Sequence, residues 1–155
     1  MSKRKKQLEE FFSSYESHFN NAINNSSNVE EDLTASFAEC FVESNPAGVM
    51  CGQNNSDFAG KIKEGFEFYK SIGTKEMNII SKDITLLDDF HSLVKVLWRY
   101  AYSKDEKEGN IDFTTFYLLN TTNGETKIFA YIAGDEQKNL RDRGLVPQTE
   151  ETVSH

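Results

Sequence analysis

From residue 5 to residue 24 the apolar positions Leu8, Phe11, Phe12, Tyr15, Phe19, Ala22 and Ile23 recur at intervals of three and four. That spacing puts them on one face of a helix. The polar run Asn24-Asn25-Ser26-Ser27-Asn28 ends it, and Asn28 with Glu31 three residues on has the form of a capping box. The second helix so opened carries Leu33, Phe37, Cys40 and Phe41 and is closed by Asn45-Pro46-Ala47-Gly48. Residues 49–52 then read as a short strand. Asn54-Asn55-Ser56-Asp57 offers caps for a third helix with the stripe Phe58, Ile62, Phe66 and Tyr69, and Gly73 is placed as its stop.

After Gly73 the period changes. Residues 77–87 are rich in β-branched and aliphatic side chains, Asp88-Asp89-Phe90-His91 interrupts them, and residues 93–102 resume the pattern. A charged loop over 103–110 leads into a run at 113–119, and Asn123-Gly124 turns the chain into residues 127–133. Strand-forming runs bounded by turn residues mark hairpins, and Asn-Gly is the strongest two-residue hairpin signal. A short helix over 135–143, stopped by Gly144, and a polar tail over 148–155, expected to be mobile, complete the chain.

Helices followed by a run of strands indicate an α+β fold. Three N-terminal helices and one short strand are expected to pack on the concave side of a strongly curved antiparallel sheet, burying all three stripes. No repeat or linker divides the chain, so residues 1–147 are expected to be one domain and 148–155 a tail.

Strand alternation sorts the sheet residues into faces. In 93–102 one face carries Val94, Val96, Trp98, Tyr100 and Tyr102, the other Leu93, Lys95, Leu97, Arg99 and Ala101. The length of the 103–110 loop leaves open which of them faces the core. A two-residue turn at Asn123-Gly124 pairs Leu119 with Ile128 and Tyr117 with Ala130. Thr115, Tyr117, Leu119, Ile128, Ala130 and Ile132 are then expected in the concave core, and Phe116, Leu118, Phe129 and Tyr131 on the outer surface.

With 155 residues, 37% of them hydrophobic, and 12 Phe and 6 Tyr, the chain can build one sizeable core. No apolar run approaches the roughly 20 residues of a membrane helix. The basic start Lys3-Arg4-Lys5-Lys6 is followed by Gln7-Leu8-Glu9-Glu10 rather than an apolar stretch, which does not fit a secretory signal, so a cytoplasmic location is expected. The sequons at Asn24, Asn25, Asn54 and Asn120 then read as polar turns. A net charge of −8 argues against nucleic acid or an anionic membrane as partner. Cys40 and Cys51 lie too far apart for a redox pair, and buried, reduced thiols are expected. With only His18, His91 and His155 no metal site is expected, and the scattered glycines form no phosphate loop, so no cofactor is expected.

The Phe-rich first helix, the segment from Leu33 to Phe41, the Val94-x-Val96-x-Trp98-Arg99 strand and the hairpin Asn123-Gly124-Glu125-Thr126-Lys127-Ile128 together resemble the nuclear-transport-factor-2-like superfamily. The resemblance covers residues 8–145, and the superfamily includes SnoaL-like polyketide cyclases, ketosteroid isomerases and scytalone dehydratase. It implies a cystatin-like cone, a half-barrel with a pocket between helices and sheet. It also implies a homodimer through the outer sheet face, with Phe116, Phe129 and Tyr131 at the contact.

The functional expectation is a pocket protein for a small hydrophobic molecule, with Phe19, Phe37, Met50, Trp98, Arg99 and Tyr117 as candidate lining. If Arg99 points inward it is an anchor for an anion; if Trp98 and Tyr100 do, the pocket suits a flat hydrophobic ligand. The alternative is a cofactor-independent isomerase, cyclase or dehydratase acting on a hydrophobic carbonyl compound. There Tyr15 would polarise the substrate oxygen, and Asp83 or a water would act as base. The simpler reading of Tyr15 is a core tyrosine with its hydroxyl at the surface. The acid pair of ketosteroid isomerases has no counterpart, because 93–102 holds no acid and 113–133 only Glu125. Asp88, Asp89 and His91 read as turn residues. A partner-binding module using the outer sheet is a third class, but matching contact residues are absent.

Overall fold

The computed structural model describes residues 2–24, 29–134 and 136–145. Helix α1 (Lys3–Ile23) starts at Ser2, whose hydroxyl accepts from the Lys5 N–H at 3.1 Å. Its buried residues are Leu8, Phe12, Tyr15, Ala22 and Ile23, the stripe the spacing predicts.

The second helix is much shorter than expected. α2 (Val29–Thr34) stops after six residues, and Phe37–Asn45 is strand β1. A spacing of four is ambiguous: residues i and i+4 share a helix face, but they also share a strand face because four is even. Phe37, Phe41 and Glu43 are buried together on one side of β1. The capping residue Asn28 and the 148–155 tail lie outside the described residues, as does Asp135. β1 turns at Pro46-Ala47 into β2 (Gly48–Gln53), which pairs with it antiparallel from Asn45–Gly48 to Cys40–Gln53. Cys40 and Cys51, expected to be buried, are both exposed. Cys51 sits on β2 at the edge of the sheet and Cys40 on its neighbour β1.

Asn55 caps α3 (Ser56–Ser71), its side chain accepting from the Asp57 and Phe58 N–H groups at 3.0 and 3.2 Å. Gly73, at φ +85°, ends that helix as expected. β3 (Thr74–Leu86) and β4 (His91–Lys104) follow, joined where Asp88 Oδ1 accepts from the Phe90 and His91 N–H groups at 2.8 and 2.7 Å.

The expected loop over 103–110 does not exist. β4 runs to Lys104 and β5 (Lys107–Thr122) starts directly, with Asp105 and Glu106 at φ 51° and 67° as a two-residue turn. The charged residues form the exposed tip of a long hairpin, where polar side chains stay solvated without breaking the ladder. This register buries Val94, Val96, Trp98, Tyr100 and Tyr102 and turns Lys95 and Arg99 outward.

Asn123 and Gly124 (φ 54° and 79°) turn β5 into β6 (Glu125–Ala133). Leu119 pairs with Ile128 as expected, but a bulge follows: Leu118 pairs with Ala130 and Tyr117 with Tyr131 rather than Ala130. One extra residue, Phe129, inverts the alternation beyond it. Tyr131 therefore faces inward instead of outward, and Ile132 is left 49% exposed.

The sheet order is β2-β1-β6-β5-β4-β3, and β1 runs parallel to β6. The sheet is thus mixed, six-stranded and open, not purely antiparallel. The parallel joint arises because β6 returns between β5 and the early hairpin. α4 (Glu136–Asp142) follows, slightly shorter than expected, with Gly144 at φ +72° behind it. Helices α1 and α3 press aromatic rings onto the inner sheet face: Phe12 on Tyr117 (centroids 5.2 Å), Phe19 edge-on to Trp98 (4.7 Å) and Tyr69 edge-on to Tyr100 (5.2 Å). Among the described residues no helix is long and apolar enough to cross a membrane.

Candidate functional site

Between α1, α3 and the inner face of the sheet lies a cavity of about 150 Å³. α1 contributes Tyr15 and Phe19, β1 contributes Phe37 and Glu43, and α3 contributes Phe58, Ile62 and Phe66. From the sheet come Tyr100, Thr115, Tyr117 and Tyr131. Exposed Lys61 and, at the start of α4, Glu136 also line it, so the cavity reaches solvent on that side. Strand alternation aims Thr115 and Tyr117 inward, and the bulge at Phe129 brings Tyr131 opposite Tyr117 with ring centroids 6.4 Å apart.

A few polar groups interrupt this aromatic surface. Glu43, only 4% exposed, accepts the Tyr131 O–H on Oε1 at 2.9 Å and an Asn45 Nδ2–H on Oε2 at 3.1 Å. Tyr69 donates to Glu136 and lies 3.4 Å from the Tyr100 hydroxyl. The Trp98 indole N–H donates to the Tyr117 hydroxyl at 3.1 Å.

Burial governs the phenols, because it disfavours the charged phenolate. It pushes Tyr117 up to about 12, with the Trp98 N–H pulling the other way. Tyr131 is raised by burial first and then by the negative charge of Glu43. Tyr69 and Tyr100 are raised well above their ordinary value by burial and then by Glu136, and Tyr15 by burial and then by Tyr117. At neutral pH the walls are therefore protonated phenols, which donate hydrogen bonds, set beside carboxylates, which accept them. Such a site can hold an apolar body and anchor one or two polar atoms.

Of the residues expected to line the pocket, Phe19, Phe37 and Tyr117 stand in the cavity wall, as does Tyr15, the candidate for polarising a substrate oxygen. Trp98 lies one layer beneath, 2% exposed, packed on Phe19 and Tyr15. Met50 lines a neighbouring cleft of about 250 Å³ that shares Glu43, Phe58 and Lys61 with the cavity. Arg99 points to the opposite face of the sheet, bound through Nε and Nη2 to the two carboxylate oxygens of Asp112 at 2.8 and 3.0 Å. It offers no anchor to anything in the cavity, because the β4–β5 register puts odd-numbered residues of β4 outside.

Asp83 is exposed on β3, paired across the ladder with Lys95, and lines neither cavity nor cleft. The structure thus does not bring it to Tyr15. His91 contacts Asp88 in its turn at 2.9 Å, and His18 faces Asp32 between α1 and α2 at 3.8 Å; neither reaches the cavity. Among the described residues no group of three or more His, Cys, Asp or Glu side chains could hold a metal ion.

The carboxylates that do reach the cavity, Glu43 and Glu136, escaped the sequence reading. So did the inward turn of Tyr131. The signal for Glu43 was present in the odd-numbered alternation Phe37, Phe41, Glu43, legible only once that segment is a strand.

Residues 5–136 match the family described as NTF2-like protein (DUF6841). No curated protein matches the sequence. Among solved structures the fold is similar to an NTF2-like protein with a cystatin-like fold from Novosphingobium aromaticivorans, with a TM-score of 0.68 and 9% identity over 92% of this chain and 88% of that one. It is also similar to a ketosteroid isomerase-like protein from Erwinia carotovora (0.63, 14% identity, 86% and 97% covered). A putative scytalone dehydratase from Novosphingobium aromaticivorans is similar as well (0.62, 16% identity, 84% and 82% covered). At these identities the likeness is one of fold.

Proposed function

The chain belongs to the NTF2-like protein family, and we propose that it binds a small, largely hydrophobic molecule in the cavity between α1, α3 and the sheet. The observation that carries this reading is the cavity itself: a concave aromatic surface, open to solvent on one side, with a small number of converging polar groups is what a ligand site requires. An apolar cavity near 150 Å³ suits a molecule of about benzene size, with its polar end toward Glu43 or the rim.

The test uses p-cresol as probe, followed by saturation-transfer NMR. Wild-type protein is expected to bind it, and Ile62→Trp, which drives an indole into the cavity from α3, is expected to abolish binding while leaving the circular dichroism spectrum intact. Absence of binding to wild type, or equal binding to Ile62→Trp, refutes the reading.

A second reading, a cofactor-independent isomerase, cyclase or dehydratase acting on a hydrophobic carbonyl compound, is favoured by one observation. Glu43, a buried carboxylate, faces the same cavity as the phenols of Tyr15 and Tyr117, so a proton acceptor and hydrogen-bond donors share one space. In it Glu43 takes the place expected for Asp83. Solvent deuterium exchange into an enolisable ketone such as cyclohexenone, present with wild type and lost in Glu43→Gln, would support it; no exchange above buffer rules it out.

The outer sheet face carries Phe116 and Phe129 half-buried and Ile132 exposed, and we place the contact of a homodimer there. Sedimentation equilibrium decides this: a monomer at micromolar concentration, or a dimer indifferent to Ile132→Glu, refutes it. A cytoplasmic location belongs to the same reading, supported by two exposed free thiols on adjoining strands, which suit a reducing compartment.

A further inference from the structure

We infer that the cavity selects small organic cations, molecules that present an alkylated ammonium group, over neutral molecules of the same shape. This rests on the ligand-binding reading above and names the chemical class of ligand.

Glu43 is the central observation. Its carboxylate is nearly removed from water yet lines the cavity, and its two described partners, Tyr131 and Asn45, are both uncharged. A buried carboxylate is ordinarily compensated by a cation. Here no lysine or arginine nitrogen of the described residues comes within 4.0 Å of it; Lys61 lines the same cavity but forms no ion pair with it. With one described donor on each oxygen, the carboxylate keeps lone pairs for a further partner.

The walls around that charge have the matching property. Phe37, Phe58 and Tyr131 stand together beside Glu43, with ring centroids 5.1 Å apart for Phe37–Phe58 and 5.8 Å for Phe37–Tyr131. Aromatic faces carry negative quadrupole density and attract cations within about 6 Å of the ring. An alkylated ammonium presents apolar methyl or methylene surface to the rings and its charge to the carboxylate, so one group answers both features. A neutral molecule answers only the rings, and an anion is repelled by Glu43. The overall charge of −8 adds a weak field of the same sign.

The experiment is isothermal titration of the full chain, in phosphate buffer free of organic cations, with two probes of equal shape: choline and its uncharged isostere 3,3-dimethylbutan-1-ol. Choline is expected to bind about tenfold or more tighter, a difference of about 1.4 kcal/mol. Glu43→Gln is expected to bring that ratio below about threefold. Phe58→Leu, which removes one ring face without touching the carboxylate, is expected to weaken choline more than the alcohol. Equal affinities in wild type, or a tighter alcohol, overturn the inference without recourse to any variant. So does failure of both probes where p-cresol binds, and in either case the ligand-binding reading stands. If p-cresol fails as well, both fall together.

Discussion

Alkali should unfold this domain in one steep step, because the inner layer is built on protonated phenols. Tyr15, Tyr69, Tyr100 and Tyr117 are all buried, and burial is the first cause that holds each above its ordinary value, Tyr117 at about 12 and the others well raised. In the unfolded chain all four ionise near 10. Below pH 10 both states keep the protons and the stabilisation is fully present. Above pH 10 the folded state binds more protons than the unfolded one, so stability falls with rising pH. Each phenol removes about 1.4 kcal/mol per pH unit, and the four together about 5.5 kcal/mol per unit until Tyr117 itself titrates. A domain with the usual reserve of about 5–15 kcal/mol therefore loses it within about one to three units above pH 10. The assay follows tyrosinate absorbance and far-ultraviolet circular dichroism on the same samples. The two should change together, with little tyrosinate from these four residues before the helical signal is lost. A smooth tyrosinate titration near pH 10 with the folded spectrum unchanged would refute the reasoning, since it would mean the phenols are wet.

Two substitutions test other parts of the packing. Tyr117→Phe removes the acceptor of the buried Trp98 N–H and should cost about 1–3 kcal/mol in urea unfolding followed by the fluorescence of Trp98, the single tryptophan; a loss below about 0.5 kcal/mol would show that water replaces the hydroxyl. Gly73→Ala should cost about 2–4 kcal/mol, since φ is +85° and a Cβ would stand 2.4 Å from the Ser103 carbonyl oxygen. Gly124→Ala, at φ +79° with nothing within 4 Å of the added carbon, should cost only the strain of about 1–2 kcal/mol. Thermal melts of the two variants give the comparison, and equal losses would contradict the close approach at Gly73.

What the sequence determined by itself was whatever rests on neighbours within a turn or two. The stripe from Leu8 to Ile23, the Asn55 cap and Gly73 stop of α3, the Asp88 turn and the Asn123-Gly124 hairpin all formed as the local pattern requires. Each is set by side chains and backbone groups at most four residues apart. The site was decided elsewhere. Phe37 and Phe41 satisfied a helix and a strand equally, and only pairing of β1 with β2 and β6 chose the strand that carries Glu43 into the cavity. The face of β4 was fixed when the hairpin continued to Lys104–Lys107, which sent Trp98 inward and Arg99 outward. A single bulge residue, Phe129, turned Tyr131 from the outer surface to the cavity wall. Strand alternation has a period of two, so one inserted residue or one misplaced boundary reverses every side chain beyond it. That parity is settled by burial across the whole sheet, a sum over residues far apart in the chain. The local elements were thus legible in the sequence, while the chemical identity of the cavity belongs to the tertiary structure.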